Sequence, residues 1–139
     1  MKITDVSLLD DQDLNKLIFE WNQTQTPFPS DYVLQELFEK QVQKTPKAIA
    51  IVFKDEQLTY EELNEQANQL AHYLRHLGVR EDYLVAIALE RSVEMIVGLL
   101  GILKAGGSYV PLDPDYPEKR LKFILEDTKA NILITHTNL

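Results

Sequence analysis

The chain has 139 residues, of which 45% are apolar and 26% charged, with 22 acids against 14 Lys and Arg and no cysteine. That length supports one core of ordinary domain size, and the missing cysteines exclude disulfides, thiolate nucleophiles, zinc ribbons and iron–sulfur clusters. The formal charge of −8 is concentrated in residues 1–70, with 13 acids and 6 bases against 9 and 8 in residues 71–139, so no basic face meets a nucleic-acid backbone. The longest largely apolar stretch, Met95 to Leu103, falls short of the ~20 residues a membrane span needs. The acidic first thirteen residues do not resemble a basic, apolar leader, so a cytoplasmic location is expected.

Leu14, Leu17, Ile18 and Trp21 follow the i, i+3, i+4, i+7 spacing of an amphipathic helix over about 10–21, with Asp10, Asp11 and Asp13 favouring its positive N-terminal end. Asn22 to Ser30, with two prolines, reads as an extended linker and marks the expected boundary between a linker segment, 1–30, and a domain portion, 31–139. Val33, Leu34, Leu37, Phe38 and Val42 share one face of a second helix over about 32–44, which Pro46 cannot continue. Ala48 to Phe53 is a continuous apolar run of strand length, and Asp55–Glu56 followed by Leu58 suggests a buried strand that turns back.

Thr59 and Glu62 have capping-box spacing, and Leu63, Ala67, Leu70, Ala71, Leu74 and Leu77 stripe the helix they open; Gly78 closes it. Leu84 to Leu89 is a second strand. Ser92 can cap a helix over Val93 to Ala105 that is apolar on nearly all sides, must be buried, and stops at Gly106–Gly107. Tyr109 to Leu112 and Ile132 to Thr135 are further strands, separated by a helix that Pro117 starts and that Leu121, Ile124, Leu125 and Thr128 stripe. Strands apolar on both faces and alternating with helices specify an α/β fold with a mainly parallel sheet and covering helices.

Reactive motifs are incomplete. His72 and His76 lie four apart on one helix face, but Tyr73 stands where a zinc protease needs its glutamate and no third ligand is in reach. Gly101 and Gly106–Gly107 imitate a phosphate-binding loop but lack its lysine and follow a helix rather than a strand. His136 has no serine in a strained turn to activate and reads as a surface residue. The acidic pairs at 10–11, 55–56, 61–62 and 81–82 fall at caps and turns. No residue is therefore expected to be catalytic, to bind a cofactor or to ligate a metal.

Two motifs, LTYEEL at Leu58–Leu63 and LKAGGSYVPLD at Leu103–Asp113, resemble the first two core motifs of the amino-acid adenylation domains of nonribosomal peptide synthetases, and the spacing between them agrees. The resemblance continues through Tyr116–Pro117, Arg120–Leu121 and Ile124–Asp127, and back through Leu37–Phe38–Glu39 to Trp21–Asn22, which is similar to the segment joining a condensation domain to the following adenylation domain. Gln35 stands where that family often has His.

The resemblance implies an N-terminal portion of an ATP-dependent, adenylate-forming ligase. The complete domain would join an amino acid to the α-phosphate of ATP with Mg²⁺, then pass the acyl group to a carrier-protein thiol. Its phosphate loop, amine-binding Asp, ribose-binding acid, hinge and mobile lysine would all lie downstream, so the chain alone is expected to bind neither ATP nor Mg²⁺ and to be inactive. Implied partners are the rest of the adenylation domain and the condensation and carrier-protein domains. A module completing a split enzyme in trans and a piece of an acyl-CoA ligase are the competing readings. Both motifs read as architectural, with Lys104 compensating a helix dipole or solvated. The apolar helix at 93–105 is expected to leave a face open and favour self-association.

Overall fold

The computed structural model describes residues 9–28 and 30–136. The chain divides into two compact units, 1–31 and 32–139. In the first, α1 (Asp11–Asn15) is followed without a break by one wider π turn, Lys16–Glu20. Asp10 caps it by accepting the Asp13 N–H at 2.7 Å, and the Trp21 N–H reaches back five residues to the Lys16 carbonyl at 3.0 Å. The Asn22 side chain then donates to the Leu17 and Ile18 carbonyls at 2.8 and 2.9 Å, satisfying groups that a helix end leaves unpaired. The helix expected over 10–21 thus forms, with its second half wound as a π turn. Its apolar stripe is not a core: Leu14, Leu17, Ile18 and Trp21 are all exposed.

The second unit begins with α2 (Leu34–Lys44), whose first turn is secured by the Glu36 carboxylate accepting the Val33 N–H at 3.2 Å. Strands β1 (Ile49–Phe53) and β2 (Glu56–Thr59) then form an antiparallel hairpin of their own. The strand turns back as expected, but it is only half-buried and stands apart from the parallel sheet, which corrects its place in the strand–helix alternation. A register shift between Ile49 and Ile51 breaks the simple alternation, Ala50, Ile51 and Phe53 turn inward, and Ile49 and Val52 are exposed. An unbroken apolar run does not distinguish a strand buried on both faces from one buried on a single face.

Helix α3 (Tyr60–His76) starts where the Thr59 hydroxyl accepts the Glu62 N–H at 3.2 Å and the Glu62 carboxylate accepts the Thr59 N–H at 2.8 Å, the reciprocal cap its sequence predicts. Leu63, Ala67, Ala71 and Leu74 are buried along its length, and Gly78 beyond its end takes a φ of +95°, a conformation that costs a glycine little. Next comes β3 (Leu84–Ala88), then α4 (Val93–Ala105), capped by the Ser92 hydroxyl accepting the Met95 N–H at 3.2 Å and closed by Gly106 at φ +91°. Strand β4 (Ser108–Pro111), α5 (Glu118–Thr128) and β5 (Ile132–Thr135) complete the described part of the unit.

The three later strands form a parallel sheet in the order β4-β3-β5. The β3–α4–β4 crossover steps one strand outward and the β4–α5–β5 crossover runs back across β3 in the opposite direction, so the right-handed rule for such connections puts α4 and α5 on opposite faces. The apolar girth of α4 has a direct cause, since the helix serves two cores. Val93, Val97 and Leu100 join Leu58, Leu63 and Phe53 under the hairpin, while Ile102 and Ala105 join Leu74, Val85 and Ile87 against the sheet. Close approach is made at two glycines. A Cβ on Gly98 would stand 2.8 Å from the Ile87 Cδ1, and one on Gly101 would stand 2.7 Å from the Leu70 Cδ2. Only Ile96 of the large apolar residues of α4 is exposed, so the helix is covered within the unit on nearly every side.

Candidate functional site at the C-terminal edge of the parallel sheet

In open α/β sheets ligands bind beyond the carboxyl ends of the strands, where successive connections diverge. Here that point lies between β3 and β5, bounded by the loop Leu89–Ser92 and by His136 at the end of β5. The Glu94 carboxyl, in the first turn of α4, is held below its ordinary value of 4.5 by hydrogen bonds from its own backbone N–H and the Ser92 hydroxyl, with a smaller attraction from His136. His136, expected at the surface, is half-buried at the end of β5.

On the other side of β3, an open cleft of about 620 Å³ lies between the exits of β3 and β4, with Met95, Pro111 and Leu112 as apolar lining and Glu90, Arg91, Asp113 and Asp115 as charged lining. Leu112 is fixed by donating its N–H to the Ile87 carbonyl at 2.9 Å. The following turn is tied by the Asp113 carboxylate accepting the Asp115 N–H at 3.0 Å, and the Arg120 guanidinium sits 4.5 Å from the Tyr116 ring centroid.

This arrangement does not fit ATP phosphates with Mg²⁺. Polyphosphate requires converging N–H groups and cations, whereas three carboxylates face one Arg in the cleft. Gly101 lies inside α4 against Leu70, and Gly106–Gly107 close a helix at the end where carbonyls, not N–H groups, are left over. His72 and His76 are exposed on α3, and no group of three or more His, Asp or Glu able to hold a metal occurs among the described residues. The acidic pairs fall at caps and turns, except that Glu56 is the first residue of β2. Asp10 caps α1, Asp55 lies in the hairpin turn, Glu61–Glu62 open α3, and Asp82 sits in a turn at φ +62°.

Lys104 departs most from expectation. It is neither solvated nor limited to dipole compensation: its side chain is 4% exposed and forms an ion pair with Glu39 of α2, with the Phe38 ring centroid 5.9 Å from its Nζ. The Arg75 guanidinium of α3 donates to the Lys104 carbonyl, so three helices converge on this last turn of α4. Sequence reasoning missed the pairing because its partner lies 65 residues away; the available signal was the lone cation in a helix otherwise apolar on all sides. Along α3 the side-chain oxygen of Asn64 is buried without a hydrogen-bond partner. The described edge is thus a scaffold of capped turns and packed helices, with no assembled nucleophile, base or phosphate cradle among its residues.

A parallel layer preceded by a hairpin, with a capped helix start and a Gly-Gly helix stop feeding its strands, fits the N-terminal framework of the adenylate-forming enzymes that the motifs at Leu58–Leu63 and Leu103–Asp113 resemble. The comparisons agree: the profile of the AMP-binding enzyme family matches residues 38–139, and the chain belongs to that family. Bacitracin synthase 3 of Bacillus licheniformis is 51% identical over 95% of the chain, and gramicidin S synthase 2 of Brevibacillus brevis is 48% identical over 100%. The chain spans only 2% of the length of the first and 3% of the second. Among solved structures, the FmoA3 nonribosomal peptide synthetase bound to α-methyl-L-serine-AMP superposes with a TM-score of 0.78 at 39% identity, covering 86% of this chain and 14% of that one. The N-terminal subdomain of NpsA from Klebsiella oxytoca superposes with a TM-score of 0.70 at 30% identity, covering 76% of this chain and 28% of that one. The chain corresponds to part of the N-terminal subdomain of a peptide-synthetase adenylation domain.

Proposed function

We propose that these residues are the supporting framework of an amino-acid-activating domain in a cytoplasmic peptide synthetase. The complete domain joins an amino-acid carboxylate to the α-phosphate of ATP, releases pyrophosphate, and passes the acyl group to the thiol of a carrier-protein domain, with a condensation domain as neighbour. ATP and Mg²⁺ are held there by residues outside these 139. Attack on phosphorus needs positioned cations and donors, and the edge described above offers an acidic cleft instead.

The observation that carries this reading is identity of about half over nearly the whole chain with peptide synthetases. It also favours peptide synthesis over acyl-CoA ligation as the parent chemistry. The test is exchange of labelled pyrophosphate into ATP with each amino acid in turn. The domain containing this chain is expected to exchange with one amino acid or a small set of similar ones, and the 139 residues alone with none. Exchange by these residues unaided overturns the framework reading, and no exchange by the complete domain with any amino acid overturns the activity.

A further inference from the structure

Helix α3 carries two of the chain's three histidines on the face turned away from the core. Its buried residues, Leu63, Ala67, Ala71 and Leu74, run along one side, and the opposite stripe is Glu65, Gln69, His72 and His76, all exposed. At 3.6 residues per turn His72 and His76 stand one above the other, with Cβ atoms about 5–6 Å apart. That spacing lets two imidazoles meet a single ion, as on the helix of zinc proteases.

The end of α3 is fixed, so the pair does not depend on a fraying terminus. The Leu77 N–H donates to the Tyr73 carbonyl, the Gly78 N–H to the Arg75 carbonyl and the Val79 N–H to the Leu74 carbonyl, each at 3.0 Å. The helix dipole has its negative end there, which favours a cation. Arg75 is the one charged side chain between Glu65 and His76, and its guanidinium is engaged with the Lys104 carbonyl of α4. No carboxylate or cation therefore stands between the two histidines in sequence except an arginine already bound elsewhere.

We propose that His72 and His76 form an open, exchangeable surface site for a late first-row divalent ion, Cu²⁺ ahead of Ni²⁺ or Zn²⁺. Neutral imidazole suits all three ions, and the affinity of a nitrogen site peaks at Cu²⁺. Two protein ligands leave the other coordination positions to water or a small exogenous ligand, so the site is neither a closed structural centre nor a three-ligand catalytic one. The absence of a third ligand among the described residues sets the class of site rather than excluding one. Mg²⁺, which takes oxygen ligands, is not held there. The site lies on α3 and not at the C-terminal edge of the sheet, and it is independent of amino-acid activation.

The experiment is a titration of the complete adenylation domain with Cu²⁺, followed by electron paramagnetic resonance, beside His72→Ala, His76→Ala and the double variant. Both positions are exposed, and far-ultraviolet circular dichroism checks that the variants keep their helix content. The unaltered domain is expected to hold one Cu²⁺ ion that the double variant does not, with two coordinated nitrogens. Each single variant should bind that ion at least about tenfold more weakly, the low end of what losing even an outer partner costs a metal site. Zn²⁺ should displace it only in excess, and Mg²⁺ not at all. Equal Cu²⁺ binding by the unaltered domain and the double variant overturns the proposal. Weakening in only one single variant also overturns it, because the ion then rests on one imidazole, as does a spectrum with one coordinated nitrogen. Displacement by an equal concentration of Mg²⁺ overturns it as well, since it marks oxygen ligands.

Discussion

Helices α1 and α4 make opposite use of apolar residues. The first has a clear stripe, yet Leu14 to Trp21 stay exposed and the second half of the helix relaxes into a π turn closed by Asn22. The second has no polar face at all and is covered almost completely, because a hairpin and a parallel sheet approach it from different sides. Periodicity states what a segment is able to bury, whereas burial depends on which other elements arrive. A helix's stability in water comes mainly from that packing rather than from its own propensity.

The largest effect that sharpens this contrast is expected at Leu74, 1% exposed in the core between α3 and the sheet. Leu74→Ala should lower unfolding free energy by about 2–5 kcal/mol in urea titrations, whereas Leu17→Ala in the exposed stripe should change it by less than ~0.5 kcal/mol. Equal losses at the two sites would remove the distinction. Next is Gly101→Ala, which sets a Cβ 3.0 Å from the Leu70 Cβ and not only against its flexible tip, and should cost about 1–3 kcal/mol through overpacking.

The ion pair at the end of α4 comes third. Glu39→Ala leaves the Lys104 ammonium buried without its carboxylate, while Lys104→Met removes the charge and keeps the packing. Thermal melts should therefore show the Glu39 variant as the less stable of the two, by about 1–2 kcal/mol after allowance for the half-exposed carboxylate. The reverse order would mean that the pair ties α2 to α4 through attraction rather than through avoidance of an unpaired charge.

The smallest effects belong to the α3 cap. Thr59→Ala should cost about 1 kcal/mol. The Glu62 carboxyl is held below its ordinary value of 4.5, first by the Thr59 backbone N–H and then by the Thr59 hydroxyl. Since the folded value is the lower one, its contribution is complete above about pH 4.5 and fades as pH falls through the folded value. Stability measured against pH should lose that acid-side slope in Glu62→Gln; an unchanged slope would show that the cap does not titrate with folding.

Much of this was legible in the residues themselves because the signals are local. Thr59 with Glu62, Ser92, and Gly106 act within one turn of the backbone they serve, so their spacing predicts the helix boundaries closely. The turn back after Phe53 is legible in Asp55–Glu56, but the one-sided burial of β1 is not, because Ala48–Phe53 is apolar throughout and the register shift that turns Ala50 and Ile51 inward depends on pairing with β2. The candidate edge was less legible than the fold. Met95, Asp113 and Arg91 meet only because β3 and β4 are neighbours in the sheet, and nothing in their sequence positions announces that meeting.

By itself, then, the order of residues determined where helices begin and stop, that strands and helices alternate, and that the chain carries the marks of an adenylate-forming framework, since caps, glycine stops and apolar runs act over a few residues. Tertiary structure alone decided that β3 sits at the centre of the sheet, that β1 leaves it for a hairpin, and that Lys104 finds Glu39 across 65 residues. Those choices depend on free energies of contact between segments distant in sequence, and such contacts have no period to read.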